Sequence, residues 1–172
     1  MKNIIYSTLL VIIAAITTSC NEGFGTWKSL NEQWFEEKKT TLGQGDTSII
    51  ATRVLPSGVM IEMYHTGYGP IPKPSLDPTT GVSSTIVATY KGYLVDGTKF
   101  NDAKEYAMSL SDAISGWQDA LSIMPEGSSW RLYIPYSEGY SSTGSKTTNE
   151  NFVVPPYSTL IFDIDLIKVY NF

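Results

Sequence analysis

The sequence predicts an α+β fold in which an antiparallel sheet wraps around one short helix, and three observations carry that reading. Ile86-Val-Ala-Thr-Tyr90 and Tyr93-Leu-Val95 are β-branched and aromatic, and they run into Asp96-Gly97, a dipeptide suited to a tight hairpin turn. Ile114, Trp117, Leu121 and Met124 follow at intervals of three, four and three, the apolar stripe of an amphipathic helix spanning Ser111 to Met124. Leu160, Phe162, Ile164 and Leu166 alternate with other residues, which places them on one face of a strand within Thr159 to Val169. Strand, hairpin, helix and strand in that order describe a sheet packed on a single helix.

From the N-terminus, the first segment reads as an export signal, the alternatives for its cysteine being a buried free thiol or a simple secreted protein cleaved nearby. Lys2 supplies a positive start, Ile4 to Ile16 is almost wholly apolar, and Thr17-Thr18-Ser19 precedes the one cysteine, Cys20. The apolar run falls short of the roughly 20 residues of a membrane span. It resembles a bacterial lipobox, which implies cleavage before Cys20 and a diacylglyceryl group on its sulfur. Thr17 departs from the Leu or Val usual at that position. The expected organisation is a signal over 1–19, a linker with a short helix over 20–50, and the folded domain over 51–172. The expected location is the bacterial cell envelope, with the protein lipid-anchored and facing the periplasm or the outer membrane. A lone cysteine leaves no partner for an intramolecular disulfide.

Within the linker, Ser29-Leu-Asn-Glu32 is a capping-box pattern, and Leu30, Trp34 and Lys38 follow at four-residue spacing, so a helix is expected from Ser29 to Lys39. Its Trp34 and Phe35 either pack on the main domain or form a docking face. Thr52 to Tyr64 reads as a leading strand with a turn at Leu55 to Gly58, after which Val59, Ile61 and Met63 alternate with more polar positions. Pro70, Pro72, Pro74 and Pro78 mark an extended surface loop. Trp130 to Ile134 is a further strand, and Pro125 and Gly127 end the helix before it.

Composition agrees with one folded domain. The 172 residues are 42% hydrophobic and 12% aromatic, enough for a single core, and 17% charged, too few for a disordered chain. Net charge is −5 without a Lys/Arg cluster, which argues against a nucleic-acid partner. Nothing in the sequence indicates an oligomeric state.

The series Tyr90-Lys-Gly-Tyr-Leu-Val-Asp-Gly-Thr-Lys-Phe100, Ile114-Ser-Gly-Trp117 and Val154-Pro-Pro-Tyr-Ser-Thr-Leu-Ile-Phe162 resembles the FKBP-type peptidyl-prolyl isomerases across the C-terminal half. The resemblance implies an FKBP-like sheet and an apolar pocket for proline. Trp117 is its implied floor. Tyr90, Phe100, Ala113, Ile114 and Phe162 are implied walls, Val154 the rim, and Tyr106 and Met108 the completion of one wall. Tyr140 stands where the family has a tyrosine whose hydroxyl bonds a substrate carbonyl, and the Ile114 N–H offers a second such bond. The implied partner is a proline-containing peptide or an unfolded exported protein, and the chemistry calls for no metal or other cofactor.

Three departures from the family bear on activity. Thr89-Tyr-Lys-Gly92 replaces the common His-Tyr-Thr-Gly, Asn101 follows Phe100 where the family has an aspartate, and Ser141 follows Tyr140 in place of glycine. These leave open a catalytically degenerate relative that binds a peptide, a protein partner or a glycan through the same hollow.

Other chemistries find little support. His65 is the one histidine, so a His-rich zinc site is excluded and a Ser-His-Asp triad would rest on it alone. Asp163 and Asp165 share a strand face, as paired carboxylates or calcium ligands would, but alternating acids also suit the wet side of a half-buried strand. Gly67-Tyr-Gly69 is too short to cradle phosphate.

Overall fold

The computed structural model describes residues 24–75, 82–147 and 152–171. The expected signal, Cys20 and Pro78 lie outside the described residues. Helix α1 (Gly25–Thr41) leads to strands β1 (Ala51–Val54) and β2 (Met60–His65), then β3 (Thr85–Tyr93) and β4 (Lys99–Ser109). A 3₁₀ turn at Leu110–Asp112 precedes helix α2 (Ser115–Leu121) and strand β5 (Ser129–Ile134). A second 3₁₀ turn at Tyr136–Glu138, the short pair β6 (Ser145–Lys146) and β7 (Phe152–Val154), and β8 (Leu160–Tyr170) complete the chain. The main sheet is antiparallel in the order β1-β2-β5-β8-β3-β4.

The β3–β4 hairpin closes at the expected dipeptide. Gly97 takes φ +85°, its N–H donates to Leu94 O, and the Asp96 carboxylate accepts from the Thr98 N–H at 2.9 Å. The inner sheet face carries Ile86, Ala88, Leu132, Ile134, Leu160, Ile164 and Leu166, all buried, against Trp117, Ala120, Leu121 and Met124. Leu160 to Leu166 alternate as expected. A register shift between Val87 and Ala88 then changes the phase, so that Val169 is the next residue inside.

Two helices differ from expectation. The stripe from Ile114 to Met124 is α-helical over Ser115–Leu121 alone. Ala113 and Ile114 are extended, with ψ 161° and 151°, and the Gln118 side chain donates to the carbonyls of Ser111 and Ala113. The last turn tightens through Met124 N–H to Leu121 O before Pro125. At the other end of the chain, α1 starts about one turn before Ser29, whose capping role is therefore unused. The added turn is fixed by tertiary contact, because Trp27 Nε1 donates to Ser158 Oγ at 2.9 Å.

Helix α1 lies on the outer sheet face. Trp34 meets the Tyr133 ring at 5.9 Å, and Lys38 Nζ reaches Glu62 Oε1 at 2.7 Å. Leu30 is exposed; Trp27, Asn31, Trp34 and Lys38 make the docking face instead. Because the helix covers the outer face, Val59, Met60, Ile61 and Glu62 are all buried and the expected alternation along β2 is lost.

His65 is exposed at the end of β2. Asp163 forms a bidentate pair with Arg131 at 2.5 and 2.9 Å, and Asp165 accepts from Ser129 Oγ at 2.5 Å. Both acids thus serve cross-strand pairing on the outer face.

Candidate functional site

A cavity of about 190 Å³ opens between α2, the inner face of β3, β4 and β8, and the loop after the second 3₁₀ turn. Tyr90, Asn101, Met108, Asp112, Ala113, Ile114, Trp117, Tyr140 and Phe162 line it. It is smaller than the roughly 300–1,000 Å³ of pockets that take drug-sized ligands, so it suits one small ring or aliphatic group.

Strand geometry and the short helix together build its aromatic wall. The rings of Tyr90 on β3 and Phe162 on β8 each stand nearly perpendicular to that of Trp117, with centroids 4.9 Å apart at 82° and 5.2 Å apart at 82° respectively. Phe100 backs Phe162 at 5.5 Å and 83°. Such edge-to-face contacts match the positive edge of one ring to the negative face of another and fix ring orientation. Gly92 makes the arrangement possible, since a Cβ there would lie 2.7 Å from Phe100 Cζ and 2.9 Å from Phe162 Cε1.

The polar groups sit at the edge of this apolar box. The Tyr140 hydroxyl has no partner among the described residues, and burial raises its pKa above the ordinary phenol value, so it stays a proton donor at neutral pH. Burial likewise raises Tyr90, against the opposing effect of a hydrogen bond from Asn101, whose Nδ2 donates to the Tyr90 oxygen at 3.4 Å. The Ile114 N–H, just before α2, also has no acceptor among the described residues. The indole N–H of Trp117 is buried and has no partner among the described residues.

Three of the residues expected around the pocket stand elsewhere. Val154 is 1% exposed and belongs to the core, because β7 turns its side chain inward rather than toward a rim. Phe100 supports Phe162 without lining the cavity. Tyr106 lies opposite Ala88 on the edge strand, next to a one-residue bulge where Glu105 has φ +49°, and it is half exposed because no strand lies beyond β4 to cover it. Asp112 lines the cavity and was not foreseen. Its signal is its place directly before Ala113-Ile114, in a stretch that reads as continuous helix by periodicity alone.

Comparison with known proteins settles the family. The pattern described as FKBP-type peptidyl-prolyl cis-trans isomerase matches residues 78–167, just over half of the chain. The protein belongs to the FKBP family. An FK506-binding protein of Neisseria meningitidis serogroup B is 31% identical over 120 residues, 66% of this chain and 98% of its own length. The outer membrane protein MIP of Legionella longbeachae is 34% identical over 146 residues, 78% of this chain and 55% of its own. This chain spans about half the length of several curated FKBP relatives, including 50% of the 22 kDa isomerase of Escherichia coli.

Among solved structures, a peptidyl-prolyl isomerase of Pseudomonas syringae superposes with a TM-score of 0.70 at 25% identity, covering 91% of this chain and all of that one. FkpA of Escherichia coli gives 0.66 at 26% identity, covering 85% and 62%. The α+β fold with its antiparallel sheet is therefore that of FKBP-type isomerases.

Proposed function

We propose that this FKBP-family protein is a peptidyl-prolyl cis-trans isomerase that assists the folding of exported proteins, and that Cys20 anchors it by lipid in the cell envelope. The observation that carries the catalytic reading is an apolar box with two unpaired donors, the Tyr140 hydroxyl and the Ile114 N–H, at its edge.

The chemistry needs no acid, base or metal. Rotation about an X-Pro bond faces a barrier of about 18–20 kcal/mol, which arises from amide resonance that places negative charge on oxygen and double-bond character on the C–N bond. An apolar enclosure disfavours that dipolar form relative to the twisted amide, in which the charge separation is smaller. In this reading Trp117, Tyr90 and Phe162 hold the pyrrolidine ring. Tyr140 and Ile114 bond flanking carbonyls, which fixes the peptide while the imide rotates. Binding that is stronger for the twisted geometry than for either planar isomer lowers the barrier. Met108, Ala113 and Asp112 complete the lining, and Asn101 orients Tyr90.

The anchoring reading rests on the apolar run before Cys20, and the name of the Legionella relative places that protein in the outer membrane. Acyl chains on one cysteine supply the multiple lipid signals that stable attachment requires.

A protease-coupled assay with an Ala-Leu-Pro-Phe type peptide, run beside a titration of intrinsic Trp fluorescence, tests the site. Catalysed isomerisation supports the enzyme. Binding without turnover assigns the hollow to a peptide-binding module, the reading that the neutral Asn101 favours, and no response to peptide removes both. For the anchor, labelled palmitate should mark the parent and not Cys20→Ala; equal labelling removes it.

A further inference from the structure

Helix α1 lies outside the residues matched by the family pattern. Its N-terminal half is nevertheless joined by hydrogen bonds to residues 158 and 159 of the segment between β7 and β8. Trp27 Nε1 donates to Ser158 Oγ at 2.9 Å, and that hydroxyl donates to the Pro155 carbonyl at 2.7 Å. Asn31 is fully buried. Its Oδ1 accepts from the Thr159 N–H at 2.7 Å, and its Nδ2 donates back to the Trp27 carbonyl at 2.9 Å. Residues 155–159 are thus clamped by the helix from the side away from the cavity.

The same segment holds the Tyr140 loop. The Tyr157 N–H donates to Ser141 O at 2.9 Å, and the Ser141 N–H donates to Tyr136 O at 2.8 Å. The Tyr136 and Tyr157 rings meet edge-on at 5.4 Å, with Lys28 Nζ of α1 5.1 Å from the Tyr157 ring centre. Ser141 and Tyr157 both lie in the left-handed region, at φ +57° and +63°. Side-chain-bearing residues persist there only where their surroundings hold them. Ser141 follows Tyr140 directly, so relaxation at Ser141 would redirect the Tyr140 ring.

We propose that Trp27 and Asn31 are positioning residues for the peptide site: by holding residues 155–159 they fix Tyr157 against Ser141, and through Ser141 the direction of the Tyr140 hydroxyl. The catalytic consequence rests on the isomerase reading. The positioning itself does not, so the two can fail separately.

The test uses Asn31→Ala and Trp27→Phe in the full chain, each alone and combined with Tyr140→Phe. Trp27→Phe keeps an aromatic ring in place and removes the indole N–H, so it serves even where Asn31→Ala fails to fold. Loss of one such hydrogen bond should lower kcat/KM for an X-Pro peptide about fivefold in the parent. In the Tyr140→Phe background the further loss should be much smaller, because the effect passes through a hydroxyl already removed. The same fractional loss in both backgrounds overturns the proposal. Carbon-13 spectra of labelled tyrosine rings give a second readout, with Tyr140 assigned through Tyr140→Phe. The Tyr140 ring signals should move in both α1 variants while those of Tyr90 stay in place. Unmoved Tyr140 signals in a folded variant overturn the proposal whether or not the parent isomerises proline. If the parent lacks activity but the Tyr140 signals move, the isomerase reading falls and the positioning stands.

Discussion

Trp117 and Phe162 meet at nearly a right angle, their ring centroids 5.2 Å apart, and this contact joins the short helix to the sheet at the bottom of the cavity. Both residues are 4% exposed, so each serves the core and the cavity at once. A change at either should therefore move stability and binding together, unless the substitution keeps the ring. The unpaired indole N–H of Trp117 makes that distinction measurable.

Trp117→Phe keeps an aromatic floor and removes the unpaired donor. The lost apolar area costs roughly 1 kcal/mol at about 25 cal/mol per Å², while relief of a buried unpaired N–H returns about 1–3 kcal/mol, so the two nearly cancel. Trp117→Ala should instead cost about 3–5 kcal/mol through the cavity it leaves. Thermal melts should show Trp117→Phe close to the parent and Trp117→Ala far below it, with peptide affinity reduced in both. Equal destabilisation of the two variants would mean that the indole N–H has a partner after all.

Tyr140→Phe separates function from fold in the opposite way. The hydroxyl has no partner among the described residues, so its removal leaves none of them unpaired and the melting temperature should hold or rise slightly. Isomerisation should nevertheless slow by about fivefold, the equivalent of one hydrogen bond to substrate of about 1 kcal/mol. A parent-like rate for Tyr140→Phe would remove Tyr140 from the substrate contacts.

Local signals in the sequence carried much of this architecture. Asp96-Gly97 sets its hairpin through backbone preference alone, and Leu160 to Leu166 alternate because one face of β8 is dry. The docking of α1 was not legible, since it depends on polar residues that reading by periodicity assigns to solvent. Asn31 and Glu62 are buried by partners far away in the chain, Thr159 for the first, Lys38 and Tyr133 for the second. At the site, the aromatic members could be read from the motif. Val154, Phe100 and Tyr106 fell outside the lining for reasons of strand direction, packing depth and a bulge, none of which residue type reports.

Glu62 gives the acid response of this docking. Burial alone would raise its pKa, but hydrogen bonds from Lys38, Tyr133 and Gly43 together outweigh it and hold the carboxyl below the ordinary glutamate value. A carboxyl depressed in the folded state contributes stability that is present above its unfolded pKa and lost as pH falls through the folded one. Stability should therefore fall below about pH 4.5, near the unfolded glutamate value, as α1 loosens from the sheet. Glu62→Gln should be less stable than the parent at neutral pH, by about 1–3 kcal/mol, and should show a shallower acid limb. Parallel acid limbs for parent and Glu62→Gln, followed by Trp fluorescence, would place the titration elsewhere.

Asn101→Asp tests whether the departure from the family at this position limits the rate. Asn101 sits on β4 opposite Gly92, is exposed, and presents Nδ2 to the Tyr90 oxygen at 3.4 Å. In that arrangement the amide donates and the Tyr90 proton points away from it. A carboxylate reverses the polarity: it accepts a hydrogen bond from the Tyr90 hydroxyl and brings a negative charge to the mouth of an apolar cavity. Exposure lets water solvate the new charge, so the desolvation that would penalise a buried carboxylate is small and the fold should lose little stability. The charge should favour the twisted amide, whose carbonyl carbon has lost resonance donation from nitrogen and is more electron-poor than in either planar isomer. Faster isomerisation in Asn101→Asp, with a melting temperature near that of the parent, is the expected outcome in the protease-coupled assay. An unchanged rate in a folded variant would show that Asn101 does not limit turnover, and that the hydroxyl of Tyr140 and the N–H of Ile114 suffice as the polar contacts of this site.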